Sequence, residues 1–446
     1  MDFLNRNNSL QQETALRWPT SVSSWVLAAA LFMNPLSGVR LLESMSYGDF
    51  FFALAGVIAL CERGFNRERI YFYAIYLGIA ILITLSFLVN KFMPEPMKAA
   101  EYIEFIHTFI NNHFRIEFGQ FPNFRVIFAA LIIFPQVFLA LRIKTMGEAR
   151  VLTYFWLAGA IYGALFTVLY CMGWIPGHVD AHWITFHRSK GLTGHPNALA
   201  LNTAIAFPIL VLLFMERKEI LLRLFVLVAA FLMWRTIGYA GSRTAIYALM
   251  AMALAIFILM YHELPHRARF NLMAIGFIVV SYFVVQKYII GLDGSTSVFR
   301  RLESGSAVSD AIRAHDREIA LTGFANSPFF GAGYQWLYTA HNMYLQVLHA
   351  SGIVGFTGYV LAMLFPPYLA WQSRFLRASN SGRLHRNVLL VCAFGVIVSG
   401  WAQPNINALN PTIPFGLLLC LGVIHLGKMK QDAQQAVPLS AKPVGL

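Results

Sequence analysis

Residues 196–215 read PNALALNTAIAFPILVLLFM, an apolar run that contains no charged side chain. A helix of about 20 such residues is long enough to cross the roughly 30 Å hydrocarbon core of a bilayer. Similar runs recur along the 446-residue chain, near 21–39, 48–61, 70–91, 123–142, 150–172, 196–215, 220–237, 243–261, 271–287, 342–371, 388–403 and 410–427. The sequence therefore predicts an all-α, polytopic transmembrane bundle of about 12 spans, with residues 1–446 forming a single membrane domain.

The overall composition agrees with a membrane protein and excludes a soluble one. The mean hydropathy is +0.59 and 12% of the residues are charged, whereas soluble domains carry about 25%. The four cysteines lie in or beside apolar runs and form no C-x-x-C pair. They predict neither a disulfide framework nor a metal site.

The basic residues indicate how the bundle is oriented. Clusters near 63–69, 142–150, 217–223, 267–269 and 374–386 all fall on one side of the predicted bundle. Since short basic connections stay in the cytoplasm, this side is predicted to be cytoplasmic and to hold both termini. The net charge of +13 is dispersed among such connections, without a basic domain or an aromatic RNA-binding motif. We therefore expect no nucleic acid partner.

Three segments on the opposite side are too long or too polar to be simple turns, namely 92–122, 173–195 and 288–341. The apolar residues of 92–122 recur at helical spacing, which is typical of an amphipathic helix lying in the membrane interface. The large loop at 288–341 contains a second amphipathic pattern, which predicts a helix packed against the bundle. Functional residues are expected in these outer segments.

Basic side chains on the outer side are informative, because membrane insertion does not require them there. They are Arg188, Lys190, Arg243, Arg300, Arg301, Arg313 and Arg317. Guanidinium groups at a membrane boundary suit a bidentate anionic ligand such as a phosphate or diphosphate. Individual arginines could instead extend to lipid headgroups, and those of the third loop could form ordinary helix ion pairs with neighbouring acids.

His341 opens the predicted tenth span in the run HNMYLQVLHASGIVGFTGY. A histidine at such a position is commonly an interfacial residue with a hydrogen-bonded side chain. Here it follows an arginine-bearing outer loop, and nearby positive charges lower the pKa of a histidine, which keeps it neutral and able to act as a base near pH 7. His349 falls inside the span and is interpreted as a polar core residue.

These residues resemble those of the O-antigen ligase and polymerase superfamily, membrane glycosyltransferases of the GT-C type. The ligases carry the motif H-[N/S/Q]-x9-G-x-x-[G/T/Y], which His341, Asn342, Gly352 and Gly355 satisfy. Three further fragments are similar to family segments: HRSKGLTGHPNALA, GSRTAIYAL and REIALTGFANSPFFGAG. The resemblance covers residues from about 188 to 360 and implies a GT-C-like bundle.

The resemblance also implies roles for individual residues. It makes Arg188, Arg243 and Arg317 the residues that hold the diphosphate of a lipid-linked donor, with Arg313 able to exchange roles with Arg317. It makes His341 the general base for the acceptor hydroxyl. Lys190 is a further candidate for binding the diphosphate, and the supporting positions in the matching fragments are His195, Asn197 and Asn342. His195 stands where many relatives have asparagine.

The expected reaction is transfer of O-antigen glycan from undecaprenyl diphosphate to lipid A-core, with inversion, on the periplasmic face of a bacterial inner membrane. No cofactor is expected, and the absence of an outer Asp-x-Asp sequence predicts independence from metal. An O-antigen polymerase or a protein O-oligosaccharyltransferase of the same superfamily would use similar donors. A transporter is a further alternative, but acidic residues are nearly absent from the predicted spans.

Overall fold

The computed structural model describes residues 16–42, 45–62, 75–83, 135–175, 182–183, 188–260, 307–331, 341–373, 380–402 and 410–436. These residues form a bundle of helices with two very small antiparallel sheets. The helices are α1 Val22–Met33, α2 Tyr47–Cys61, α3 Met146–Cys171, α4 Pro196–Glu216, α5 Ile220–Ala240, α6 Arg243–Met260, α7 Ala307–Asn326, α8 Met343–Gln372, α9 Asn380–Gly400 and α10 Ile413–Ala436. Residues 75–83 and 135–142 are also helical.

The two sheets were not predicted, because each strand is only two or three residues long. β1 Arg40–Leu42 pairs with β2 Met45–Ser46, and β3 His182–Trp183 pairs with β4 Arg188–Ser189. Both are hairpins in the connections between helices. The second hairpin places Trp183 opposite Arg188, so the predicted outer loop at 173–195 contains ordered backbone.

The described helices agree in position with most of the predicted spans. Five of them, α3, α4, α5, α8 and α9, are long and apolar enough to cross a membrane, and four more apolar helices are shorter. A total of about 12 spans stays a prediction. The span near 271–287, the interfacial segment 92–122 and much of the 288–341 loop lie outside the described residues.

Buried amide groups connect three elements in the middle of the bundle. The indole nitrogen of Trp156 donates to Asn410 Oδ1 at 2.7 Å, and Asn410 Nδ2 donates to Asn202 Oδ1 at 2.9 Å. All three residues are buried, so these bonds form where water is excluded and an unmade bond would be costly. The network fixes the start of α10 against α3 and α4.

The polar contacts separate into two ends of the bundle. At one end, Glu216 at the end of α4 accepts hydrogen bonds from Arg150 at 2.5 Å and from Ser381 at 3.0 Å. At the other end, Asn197 in the first turn of α4 contacts Arg188. With a rise of about 1.5 Å per residue, the two ends of this helix lie roughly 30 Å apart. Arg150 and Arg188 are thus on opposite sides, as the charge pattern predicts.

Candidate active site

Arg188 is buried at the end of the bundle where α4 begins and α5 ends. Its Nε donates to the carbonyl oxygen of Ala240 at 2.6 Å, and Nη2 donates to Asn197 Oδ1 at 2.5 Å. These bonds use two of the five guanidinium N–H donors. Arg188 therefore joins β4 to both helices, and Arg188 and Asn197 of the fragment HRSKGLTGHPNALA are direct partners.

The first glycine of the same fragment, Gly191, is required by the backbone. Gly191 has φ +52°, in the left-handed region, and a Cβ there would overlap the Thr167 side chain of α3. The turn is closed by the Thr193 amide, which donates to the Lys190 carbonyl at 2.9 Å. It leaves Lys190 partly buried, two residues after Arg188.

His195 caps the start of α4. Its Nδ1 accepts a hydrogen bond from the Asn197 amide at 3.1 Å, and Pro196 occupies the first helical position. Burial, together with Arg188 and then His341, lowers the pKa of His195 to about 4. The neutral ring is also what the cap requires, because a protonated Nδ1 cannot accept. Asparagine, which the family resemblance leads us to expect at this position, is likewise a good cap.

Arg243 begins α6 directly after the end of α5. Gly241 ends α5 with φ 62°, and its amide donates to the Ile237 carbonyl at 3.1 Å. Ser242 is buried and Arg243 is partly buried. Since Ala240 accepts from Arg188, the Gly-Ser-Arg turn brings Arg243 to the same end of the bundle as Arg188.

α7 carries three charged residues towards His341. Asp316 and Arg317 follow Arg313 by three and four residues, so all three lie on one side of the helix. Asp316 is buried, and its Oδ2 lies 3.7 Å from His341 Nε2. The sequence interpretation weighed Asp316 only as a partner for neighbouring arginines, and its contact with His341 was missed because the pairing is not local.

His341 and Asn342 are held by different local constraints. His341 has φ 47°, a left-handed conformation that non-glycine residues adopt at a cost of about 1 to 3 kcal/mol. Asn342 is the buried N-cap of α8, and its Oδ1 accepts from the amides of Tyr344 at 3.0 Å and Leu345 at 3.1 Å. Asn342, the second residue of the ligase motif, is therefore the cap of α8, and this role fixes the position of the adjacent His341.

The capping role predicts how Asn342 variants behave. Asn342→Ser keeps a capping oxygen and should retain most of the activity, whereas Asn342→Ala should destabilise the protein by about 1 to 2 kcal/mol and lower turnover by misorienting His341. Thermal unfolding and transfer rate on the same preparations measure both effects. Equal behaviour of the two variants would contradict the capping interpretation.

Gly352 of the motif allows α8 to bend against the segment before it. Gly352 has φ 58° and ψ −165°, a non-helical conformation inside α8. Gly331, with φ 76°, approaches so closely that a Cβ on either glycine would overlap backbone atoms of the other segment. The amide of Ile353 then donates to the Pro328 carbonyl at 2.9 Å. This close packing holds the end of α7 beside the first half of α8.

Burial and two arginines of α7 keep His341 neutral. Burial, Arg313 and Arg317, in that order, lower its pKa from 6.5 to about 4, although 34% of its side chain is exposed. A neutral imidazole can accept a proton, and the adjoining guanidinium groups can hold an anion. The site can therefore pair a base with an anionic substrate.

The lowered pKa predicts an unusual dependence on pH. The transfer rate should stay nearly constant from about pH 8 to about pH 5 and decline as the pH approaches 4, where His341 becomes protonated. The unfolded chain binds more protons at this position between pH 4 and 6.5, so stability should fall as the pH decreases through that window. Rates should be measured over times in which the protein stays folded. A loss of activity centred at pH 6.5 would contradict the prediction.

The structure thus brings Arg188, His195, Asn197 and Arg243 to one end of the bundle, and sets His341 against Arg313, Asp316 and Arg317. His195 and His341 are close enough to interact electrostatically, which joins the two groups of residues. His349, interpreted from the sequence as a core residue, lies inside α8 against Gly323 of α7.

A comparison with protein-family models gives a match over part of the chain. A family model described as O-antigen ligase matches residues 228–360. This region runs from the middle of α5 to the middle of α8, and includes Arg243, Arg313, Arg317, His341 and Asn342. No curated protein matches the chain. The O-antigen ligase family region at residues 228–360 confirms the resemblance to the O-antigen ligase and polymerase superfamily.

Proposed function

We propose that the chain is a glycosyltransferase that transfers O-antigen glycan from undecaprenyl diphosphate to lipid A-core on the periplasmic face of a bacterial inner membrane. Both termini lie in the cytoplasm in this proposal, and the end of the bundle that holds His341 faces the periplasm. The family region and the several apolar helices support a membrane enzyme of this class. The acceptor distinguishes this function from that of an O-antigen polymerase.

The observation that carries the proposal is the environment of His341. A neutral histidine with an exposed edge lies beside two arginines and a buried carboxylate. Transfer from a diphosphate needs both a base for the acceptor hydroxyl and positive charge for the leaving group. These are the two kinds of group that the site combines.

In the proposed step, His341 takes the proton from the acceptor hydroxyl as the hydroxyl oxygen attacks the anomeric carbon. The bond from that carbon to the diphosphate oxygen breaks on the opposite side, so the configuration inverts and undecaprenyl diphosphate leaves. Because Nε2 faces Asp316, we assign the proton to Nε2 and the basic lone pair to Nδ1. Asp316 would orient the ring and stabilise the imidazolium.

Positive charge for the departing diphosphate would come from Arg243, Arg317 and Arg313, with Arg188 and Lys190 adding to the field. Guanidinium groups can stabilise the negative charge of the departing diphosphate without a metal ion. Activity on purified donor should therefore survive EDTA within about twofold. Loss of activity on chelation, with recovery on adding Mg²⁺ or Mn²⁺, would show that a carboxylate site participates.

The function is tested in a strain that lacks the chain but retains synthesis of O-antigen. The proposal expects polymer that remains linked to undecaprenyl diphosphate and lipid A-core without O-antigen. Complementation with the wild-type chain should restore attachment, and His341→Ala should not. Single repeat units on lipid A-core would indicate a polymerase instead, and normal lipopolysaccharide would contradict the proposal.

A further inference from the structure

We infer that α5 carries a docking site for the lipid-linked donor, which the donor occupies before its diphosphate reaches Arg188 and Arg243. The site consists of Arg235 and the exposed apolar residues that precede it on one face of α5, namely Leu221, Leu224, Val228 and Phe231. The site would bind one phosphate at Arg235 and the prenyl chain along the helix. This inference rests on the proposed function, which supplies the identity of the donor. Arg235 lies inside the predicted span 220–237 and was not among the residues predicted to contact the substrate.

Arg235 is held in a defined position near the outer end of α5. Its Nη2 donates to the hydroxyl of Tyr239 at 2.9 Å, and its guanidinium carbon lies 5.0 Å from the centre of that ring. It also interacts electrostatically with Cys171, whose thiol is hydrogen bonded to Ser189. Ser189 is the neighbour of Arg188 in β4, so Arg235 is close to the predicted diphosphate site.

The side of α5 below Arg235 is apolar and exposed. Leu221, Leu224, Val228 and Phe231 precede Arg235 at intervals of three and four residues, which places all of them on one face. Each of the four is more than half exposed. The face therefore has a positively charged group at its outer end and a row of apolar side chains along the rest of its length. This arrangement complements the anionic head and the hydrocarbon tail of a prenyl diphosphate.

An arginine at this depth needs an anionic partner. Arg235 precedes Ala240 by five residues, so it lies about 7.5 Å inside the end of the helix. Charged side chains at membrane depth are unfavourable unless they are paired. Among the residues that the structure describes, no carboxylate lies within ion-pairing distance of Arg235. A lipid phosphate can supply the missing negative charge.

The donor is the lipid that best fits both ends of this path. Ala240 accepts the hydrogen bond of Arg188, so α5 connects Arg235 directly to the site where the diphosphate is expected to bind. A diphosphate moving along α5 would pass from one guanidinium group to the next. Tyr239 keeps the guanidinium of Arg235 on this path by stacking and by its hydrogen bond.

The inference is tested by substituting Arg235 and a matched arginine on the same helix. Arg223 lies near the opposite end of α5, donates to the Arg217 carbonyl at 3.1 Å and stacks on Phe214 at 5.2 Å. Purified Arg235→Gln and Arg223→Gln would be placed in phosphatidylcholine nanodiscs, checked for monodispersity, and titrated with glycan-free undecaprenyl diphosphate. Arg235→Gln should bind it about tenfold more weakly, and Arg223→Gln should match the wild type.

Two further variants and a second probe make the outcome decisive. Tyr239→Phe should weaken binding less than Arg235→Gln, because the ring remains under the guanidinium. Unchanged binding in Arg235→Gln would overturn the inference and leave Arg235 as a residue that contacts bulk lipid. Weaker binding of lipid A-core with unchanged binding of undecaprenyl diphosphate would also overturn it. If the wild type binds the probe through Arg235 but transfers no glycan, the proposed function fails and the docking site stands.

Discussion

His341→Ala is expected to lower the rate of a single turnover by roughly 10²- to 10⁴-fold while leaving donor binding close to that of the wild type. A general base acts on the acceptor proton, which moves only in the transition state. The diphosphate is held by other groups in the ground state, so its affinity should not depend on the imidazole. Single-turnover transfer and donor titration on detergent-purified protein measure the two quantities separately.

His349→Ala is the matched control for this variant. His349 lies in the first half of α8, eight residues after His341, and packs against Gly323 of α7. Its removal should reduce the yield or stability of the protein and leave specific activity largely intact. If His341→Ala shows the same behaviour, with wild-type turnover in the folded fraction, then its catalytic role is wrong.

Arg313→Ala and Arg317→Ala are expected to have large but different effects. Each removes positive charge beside the reacting groups, and loss of one such contact typically lowers turnover by about 10²- to 10³-fold. Arg317 is exposed on α7, so it is the better placed of the two to contact the diphosphate, and Arg317→Ala should weaken donor binding more. Arg313 is partly buried and lowers the pKa of His341 more strongly.

The pH profile distinguishes the two arginines. In Arg313→Ala the pKa of His341 should rise from about 4 towards 6.5, so the acid limb of the rate profile should move to higher pH. Arg317→Ala should move it less. Lysine at position 317 keeps the charge but loses the bidentate fork, so it should recover little turnover if geometry matters. A larger shift of the acid limb in Arg317→Ala would reverse the assignment.

Several apolar helices, and the opposite ends of the bundle at which Arg150 and Arg188 lie, could be predicted from sequence because both follow from local patterns. The apolar run 196–215 became α4, and the separation of Arg150 from Arg188 agrees with the charge rule for loops. The amphipathic pattern of the third loop likewise became α7. The left-handed backbone of His341 had no local sequence signal, since the residue is not glycine.

Contacts between distant segments could not be inferred in the same way. Asp316 faces His341 across 25 residues, and the carbonyl of Pro328 accepts from Ile353 across the bend at Gly352. The hydropathy pattern also gave no signal for Arg235, because one charged residue hardly changes the mean hydropathy of an apolar span. Such pairings depend on how helices pack, and a pattern within one helix does not contain that information.

The most direct test of the central claim is transfer by purified components. Wild-type protein would be incubated with undecaprenyl-diphosphate-linked glycan and lipid A-core, and the products separated by mass. We predict glycan attached to lipid A-core, one released undecaprenyl diphosphate for each glycan transferred, and no transfer by folded His341→Ala. Absence of transfer by monodisperse wild-type protein that binds both substrates, or equal transfer by His341→Ala, would contradict the proposal.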